Sequence, residues 1–327
     1  RGVRGLAGGS LAMLLLGCAA QQESPSNKPI LSPSADEFSV MTYNLSQYTL
    51  ADRDGDGQKN DLKPLDERNA VIDLIVRNNP DILAVEEIGT PGVFEEFRYA
   101  IAQKGLQYPH MEYLQRGKSE INLAVLSRFP IVDRQPHTDD IYSIGPAQVP
   151  VARGFVDVDI EIHPAYRLRL MVAHLKSKVF HSLGQTEMRR NEARLLNNHV
   201  RKALKENPGI NLLVVGDMND DPNSAALREI TGSKQQYLKD LRPQDCDGDV
   251  WTFADTANDQ YCRIDYMLAT EGLSPEVVPE KTRVIRDTMT GKASDHRPVM
   301  AVFKSHELEL SSTPATPIPP QKPAQEP

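Results

Sequence analysis

Residues 211–220 read NLLVVGDMND. A short apolar run stops at a glycine, and Asp217 and Asn219 follow at once. A run of this length between turn residues predicts a buried strand. Polar groups set just beyond such a strand are aimed by a rigid scaffold, which is where binding and catalytic residues concentrate. The arrangement recurs along the chain: Asn44 follows MTY, Glu86 and Glu87 follow ILAV, and His174 follows LMVA. Asp265 lies in RIDYML, and Asp295 and His296 lie in SDHRP. Each alone has a plainer reading as a turn residue, a cap or an exposed acid. Together they offer the three things that metal-assisted phosphoester hydrolysis needs. Carboxylates supply hard oxygen ligands for Mg²⁺ or Mn²⁺, His or Asp can activate water, and amide or imidazole donors can meet the charge that gathers on the phosphate oxygens. The chain has no Gly-rich Walker loop and no HExxH, so nucleotide phosphoryl transfer and zinc proteolysis lose support.

Working outward, residues 38–43 alternate as a strand, and 65–76 place Ile72, Ile75 and Val76 on one helical face before Asn78-Asn79-Pro80 stops them. Residues 81–88 (DILAVEEI) predict a strand and 94–104 a helix. Strands are predicted at 121–126, 155–162, 168–174, 261–268 and 298–303. The longest helix is expected over 187–205, with Leu196, Val200 and Leu204 at fourfold spacing. Strands and helices mix without strict alternation, which predicts a layered α/β or α+β domain rather than a barrel.

Composition narrows the function. Of 327 residues, 39% are hydrophobic and 25% charged, a globular balance. With 37 basic against 45 acidic residues and a net charge of -8, the chain is not an architectural nucleic-acid binder, which would draw its affinity from Lys and Arg displacing counterions. An enzyme that touches phosphates briefly is still allowed. Arg1 and Arg4 precede an apolar stretch too short to span a bilayer, ending in Leu15-Leu16-Gly17-Cys18. This resembles a bacterial lipoprotein signal (residues 1–18) with Cys18 as the lipidated residue, so export to the cell envelope and a membrane anchor are expected. Residues 19–37 read as a flexible tether, 38–308 as the catalytic domain, and the Pro-rich stretch 309–327 as a disordered tail.

MTYNL, DILAVEEI, NLAVLSRFPI, AHLKS, GDMND, RIDYML and SDHRP, in this order, resemble the endonuclease/exonuclease/phosphatase (deoxyribonuclease I-like) superfamily over about residues 38–303. The resemblance implies a four-layer α/β sandwich, two packed mixed sheets flanked by helices, and Mg²⁺- or Mn²⁺-dependent phosphoester hydrolysis. It implies Glu87 and Asp295 as metal residues, with Glu86 standing where the family commonly has Gln. Asn44 would support metal and phosphate. Asp217 would orient or deprotonate the attacking water, and Asn219 would donate to the phosphate. His296, oriented by Asp265, would serve as acid/base or phosphate-polarising group, and His174 as a second active-site histidine. The other histidines, His110, His137, His163, His181, His199 and His306, have no motif around them and read as structural.

Two side features carry their own expectations. Residues 52–60 place Asp52, Asp54, Asp56 and Asn60 at calcium-loop positions, with Lys63 where the bidentate Glu belongs. The alternatives are a structural Ca²⁺ and an acidic surface loop. Cys246 and Cys262 would bridge in an oxidising compartment, and Asp245, Asp247 and Asp249 read as a solvated loop. As substrate, a nuclease-like phosphodiester (nucleic acid or nucleotide) is favoured over a phospholipid or sugar phosphate. Basic Lys176, Lys178, Arg189 and Arg190 follow His174, and aromatic content is only 6%, with no apolar wedge apparent. A catalytically dead binding module is disfavoured because the metal and histidine positions are all filled.

Overall fold

A computed structural model describes residues 33–232 and 236–308. Cys18, the signal segment, residues 19–32 of the tether and the tail from 309 lie outside the described residues. In chain order the strands are β1 (Glu37–Tyr48), β2 (Leu50–Ala51), β3 (Asp61–Leu62), β4 (Ile82–Ile88), β5 (His110–Leu114), β6 (Asn122–Ser127), β7 (Ile131–Arg134), β8 (Ile141–Ile144) and β9 (Ala147–Pro150). They continue with β10 (Phe155–His163), β11 (Tyr166–His174), β12 (Leu212–Asp217), β13 (Leu238–Asp240), β14 (Phe253–Asp255), β15 (Gln260–Cys262), β16 (Asp265–Thr270), β17 (Arg283–Val284) and β18 (Val299–Lys304). The helices are α1 (Leu65–Asn78), α2 (Pro91–Gln103), α3 (Gln185–Glu206), α4 (Ala225–Thr231) and α5 (Thr290–Ala293).

Two six-stranded mixed sheets pack face to face, ordered β17-β18-β1-β4-β6-β5 and β13-β16-β12-β11-β10-β7. The apolar runs explain why. Successive side chains of a strand face opposite sides, so a run with no polar alternation must be covered on both faces. In β12, Leu213 and Val215 meet the other sheet, while Leu212 and Val214 meet the α3–α4 layer. In β1, Phe38 and Val40 face the inter-sheet core, and Met41 and Tyr43 face α1 and α2. The result is a four-layer α/β sandwich: helices, sheet, sheet, helices. Each sheet holds one parallel pair, β1 with β4 and β11 with β12, and the C-terminal ends of these pairs deliver Asn44, Glu87, His174 and Asp217.

The helices end where the sequence says. Asn79 closes α1 in the left-handed conformation (φ 50°), its N–H donating to the Ile75 carbonyl. Pro91 opens α2 at a position where its missing N–H costs nothing. One element differs from expectation. Residues 261–268 are not one strand: β15 belongs to a hairpin with β14, and the chain turns at Arg263 and Ile264 before β16 joins the second sheet. The turn is fixed by Arg263, ion-paired to Asp240 at 2.6 Å, and by the Thr252 hydroxyl, which accepts from the N–H groups of Ile264 and Asp265.

Glu276 is fully buried beside Tyr166, whose hydroxyl donates to it, and burial pushes its carboxyl up to about 7. A carboxyl raised in the folded state holds its proton longer there than in the unfolded chain. Its contribution to stability is therefore present below the unfolded value of 4.5 and lost as pH rises through about 7. Glu276→Gln should remove this dependence. Relative to wild type, its melting temperature should gain more at about pH 8 than at about pH 5. An equal shift at both pH values in thermal denaturation would refute it.

Candidate active site

At the end of β12 the backbone approaches β11 so closely that a Cβ on Gly216 (φ 121°) would lie 2.1 Å from the Ala173 carbonyl oxygen. Only glycine fits there, and the tight approach sets Asp217 beside His174 in register. Asp217 is buried and accepts from three groups: the Asn219 N–H at 2.8 Å, the Asn219 amide at 3.1 Å and the Asn44 amide at 3.1 Å. Its Oδ2 lies 3.5 Å from His174 Nε2 and 3.8 Å from His296 Nε2. Burial raises the Asp217 carboxyl above the usual range, against the opposing pull of the His296 cation.

His296 is the anchored histidine. Its Nδ1 is 2.9 Å from Asp265 Oδ2, and Asp265 sits opposite Asp217 in the β12–β16 register. Burial alone would push His296 down. The Asp265 carboxylate overrides it and, with Asp217 and Asp295, lifts the imidazole to about 10, so His296 is a cation at neutral pH. His174 is the opposite case. It is buried, its Nδ1 has no partner among the described residues, and burial reinforced by Arg153, His296 and Lys176 holds it well below the ordinary value. The site therefore carries one cationic and one neutral imidazole.

The adjacent glutamates separate cleanly. Glu87 adopts φ 61°, which breaks the strand alternation. Its Oε2 accepts from the Gln47 N–H at 2.8 Å, and its Oε1 lies 3.5 Å from the Asn44 amide and 3.8 Å from His174 Nε2. Glu86 is fully buried beneath, with Thr42 donating to Oε1 at 2.7 Å and Oε2 unpartnered; burial raises its carboxyl well above the usual range. Glu87 is thus the carboxylate that faces the site. Asp295 stands exposed at the rim, where Ser294 bonds both it and the Asn44 carbonyl. No direct hydrogen bond joins Asp295 to Glu87 or Asp217 among the described residues.

No Lys or Arg touches Glu87, Asp217 or Asp265 among the described residues. Several carboxylates converging without a fixed cation suit a divalent metal. Ligand atoms of Asp217, Asp265 and His296 lie within 4.8 Å of one another. Asp265 is already engaged as the histidine's anchor, while Glu87 opens toward the mouth; Asn44 turns its amide NH2 to Glu87 and Asp217, and its Oδ1 accepts from the Ser46 N–H at 3.0 Å. Asn219 (φ 53°) donates its side-chain amide to the Leu175 carbonyl and to Asp217. Both its hydrogens are committed, so it acts first to hold Asp217.

The sequence missed several supporting groups. Arg153 donates to the carbonyls of His174 and Leu175, with its Nε unpartnered. The buried Glu192 of α3 accepts from the N–H groups of Ala152 and Lys176, tying together the loops beside His174. Arg297, next to His296, is buried in an ion pair with Asp245 at 2.6 Å. Asp245 is therefore not solvated as expected, although Asp247 and Asp249 are exposed.

Other expectations need correction. Lys178, Arg189 and Arg190 are paired with Asp221, Asp220 and Glu229, which leaves Arg153 and Lys176 as the cations beside His174. An apolar tip does exist: Val179 is 70% and Phe180 82% exposed on the loop after His174. Cys246 and Cys262 are both free thiols. Arg297 holds Asp245 inward and leaves Cys246 exposed in its turn, while Cys262 is fixed opposite Phe253 in the β14–β15 hairpin. In the 52–60 loop, Asp52 accepts from Gly55 and Gly57, and Asp56 turns to Gln58. The carboxylates that gather are Asp52, Asp54 and Asp61, without Asp56. Lys63, at the final position, is buried on the carbonyls of Leu45 and Ser46 and supplies no ligand there.

The model of the endonuclease/exonuclease/phosphatase family matches residues 41–296. The chain belongs to this family. Its members are metal-dependent phosphoester hydrolases, and the donor set described above fits that chemistry. No curated protein matches the sequence. Among solved structures, truncated TDP2 from Caenorhabditis elegans is similar at 19% identity and TM-score 0.54, over 82% of this chain and 97% of that one. The human Nocturnin catalytic domain with bound sulfate aligns at 17% identity and TM-score 0.59, covering 82% and 94%. A beta toxin from Staphylococcus aureus aligns at 15% and 0.57, covering 81% and 99%. These likenesses establish the shared endonuclease/exonuclease/phosphatase fold.

Proposed function

We propose that this chain is a nuclease-like phosphodiesterase, dependent on Mg²⁺ or Mn²⁺ and lipid-anchored through Cys18 in the bacterial envelope. The observation that carries the chemistry is the placement of His296, with Nδ1 on Asp265 at 2.9 Å and Nε2 3.8 Å from Asp217. A divalent metal held by Glu87 and Asp295, beside Asn44, would neutralise charge on the scissile phosphate. Asp217, raised by burial toward a useful basicity, takes the proton of the attacking water. Asn44 and Asn219 keep its carboxylate oriented. His296 donates from Nε2 to the phosphate or the leaving oxygen, its charge countering what the transition state gathers there. Neutral His174 offers a hydrogen bond without adding charge, and Arg153 and Lys176 extend positive potential along the rim, as a substrate with further phosphates requires.

A second reading, a phospholipid phosphoesterase, is favoured by the exposed Val179–Phe180 tip beside His174. The purified exported protein should be assayed on plasmid DNA, RNA, bis(p-nitrophenyl) phosphate and sphingomyelin, with Mg²⁺ or Mn²⁺ and with EDTA, and localised by membrane fractionation beside Cys18→Ala. EDTA-sensitive cleavage of the nucleic acids or the model diester supports the first reading, and turnover confined to sphingomyelin selects the second. Silence on all four, or activity that survives EDTA, overturns both.

A further inference from the structure

Away from the phosphoester site, two histidines that the sequence left as structural come together. His137 follows β7, and His199 lies on α3. Their rings stack with centroids 3.5 Å apart at 17°. His199 Nε2 is 2.6 Å from Asp140 Oδ2, and His137 Nε2 is 3.0 Å from Asp157 Oδ2. Each of His137, Asp140 and His199 presents a ligand atom within 4.8 Å of the other two. All three side chains are partly open to solvent, at 17%, 22% and 18% exposure, so an ion can reach them.

Three physical features separate this group from an ordinary polar cluster. The ring stack sets two imidazoles, a common kind of transition-metal ligand, side by side within reach of one carboxylate. Asp157 is buried and held ionised by Arg169, which reaches it at 2.7 Å and 2.8 Å. As an acceptor only, it fixes the His137 proton on Nε2 and leaves Nδ1 for a ligand, the carboxylate–histidine support that metal-binding histidines use. Finally, the short Asp140–His199 contact is a bridging proton that a metal ion can replace, while imidazole χ2 rotation is soft enough to open the stack toward one ion.

We propose that His137, Asp140 and His199 form a second metal site, structural in role and specific for a borderline transition ion of the Zn²⁺ class. Two imidazoles and one carboxylate suit Zn²⁺, Ni²⁺ or Cu²⁺ rather than the Mg²⁺ or Mn²⁺ of an all-oxygen site. The Asp140 backbone carbonyl also accepts the Val151 N–H at the base of the β8–β9 hairpin. His199 lies two turns along α3 from Glu192, which holds the Arg153 and Lys176 loops. An ion here would clamp hairpin to helix behind those loops.

The test is zinc binding to the full chain, stripped of metal and titrated by calorimetry, with melting temperature followed in parallel. Zinc equivalents are compared between variants, so that any zinc taken by the phosphoester site cancels. Wild type should bind one equivalent more than His199→Ala and Asp140→Asn, and zinc should raise the melting temperature further in wild type than in either variant. Asp140→Asn keeps the side chain's shape and guards against a misfolded alanine variant. Equal zinc stoichiometry in wild type and Asp140→Asn, or no zinc bound by wild type, would overturn the proposal.

Discussion

His296→Gln is expected to lower kcat by at least ~10²-fold, the scale of a lost acid/base group. Glutamine fills much of the same space and can still donate a hydrogen bond, but it cannot carry the charge that Asp265 maintains on the imidazole. Asp217→Asn should cost at least as much and differ in one respect. Asp217 is a buried carboxyl raised by desolvation, so folding works against its charge; losing that charge offsets the donor-against-donor contact an amide NH2 would make here, and the melting temperature should change little while turnover falls. Loss of activity without loss of stability separates a catalytic group from a structural one. Steady-state kinetics on the diester the enzyme accepts, with thermal denaturation of the same samples, would decide the matter. Near-wild-type kcat in both variants would remove His296 and Asp217 from the site.

The strands of this fold were legible because they are covered on both faces, which writes them as unbroken apolar runs such as NLLVV and ILAV. The candidate site residues stood out for the same reason: each sits at one end of such a run, and their order resembles a family. Glu87 was favoured over Glu86 by the resemblance alone, and the local sequence does not show why. Strand alternation makes one of two neighbours face inward, but only the positive φ of Glu87 shows which one leaves the strand for the site. The supporting shell was hidden by distance along the chain. Glu192 and Ala152 are 40 residues apart, and Arg297 and Asp245 are 52 apart. No local pattern records a contact that only the packed sheets create. The cysteines failed for the complementary reason: closeness along the chain and a plausible compartment do not orient two side chains toward each other.

Arg297→Ala should be the most destabilising single change near the site, by about 3–5 kcal/mol, because breaking a buried pair leaves its partner's charge uncompensated. The Arg297 guanidinium reaches Asp245 at 2.6 Å, donates to the carbonyls of Trp251 and Ile285, and lies 4.1 Å from the Trp251 ring centroid. Asp245 keeps one other cation, Arg286, at 3.3 Å and half in solvent, which cannot reproduce this geometry. Lysine should rescue poorly, since it has neither the planar fork nor the stacking face. The consequence extends to catalysis. The Arg297 N–H donates to the Thr252 carbonyl, and the Thr252 hydroxyl accepts from the Asp265 N–H, so the segment that Arg297 pins from behind positions both members of the Asp265–His296 pair. Partial unfolding aside, Arg297→Ala should therefore lower kcat more than it raises KM, whereas Asp245→Asn, which keeps the fork's other contacts but leaves its charge unpaired, should cost stability with a smaller loss of kcat. Denaturant titration beside kinetics on the two variants would show it. A stability loss below about 1 kcal/mol for Arg297→Ala would mean that the buried pair is replaceable by water, and that the histidine's position is set by the sheet alone.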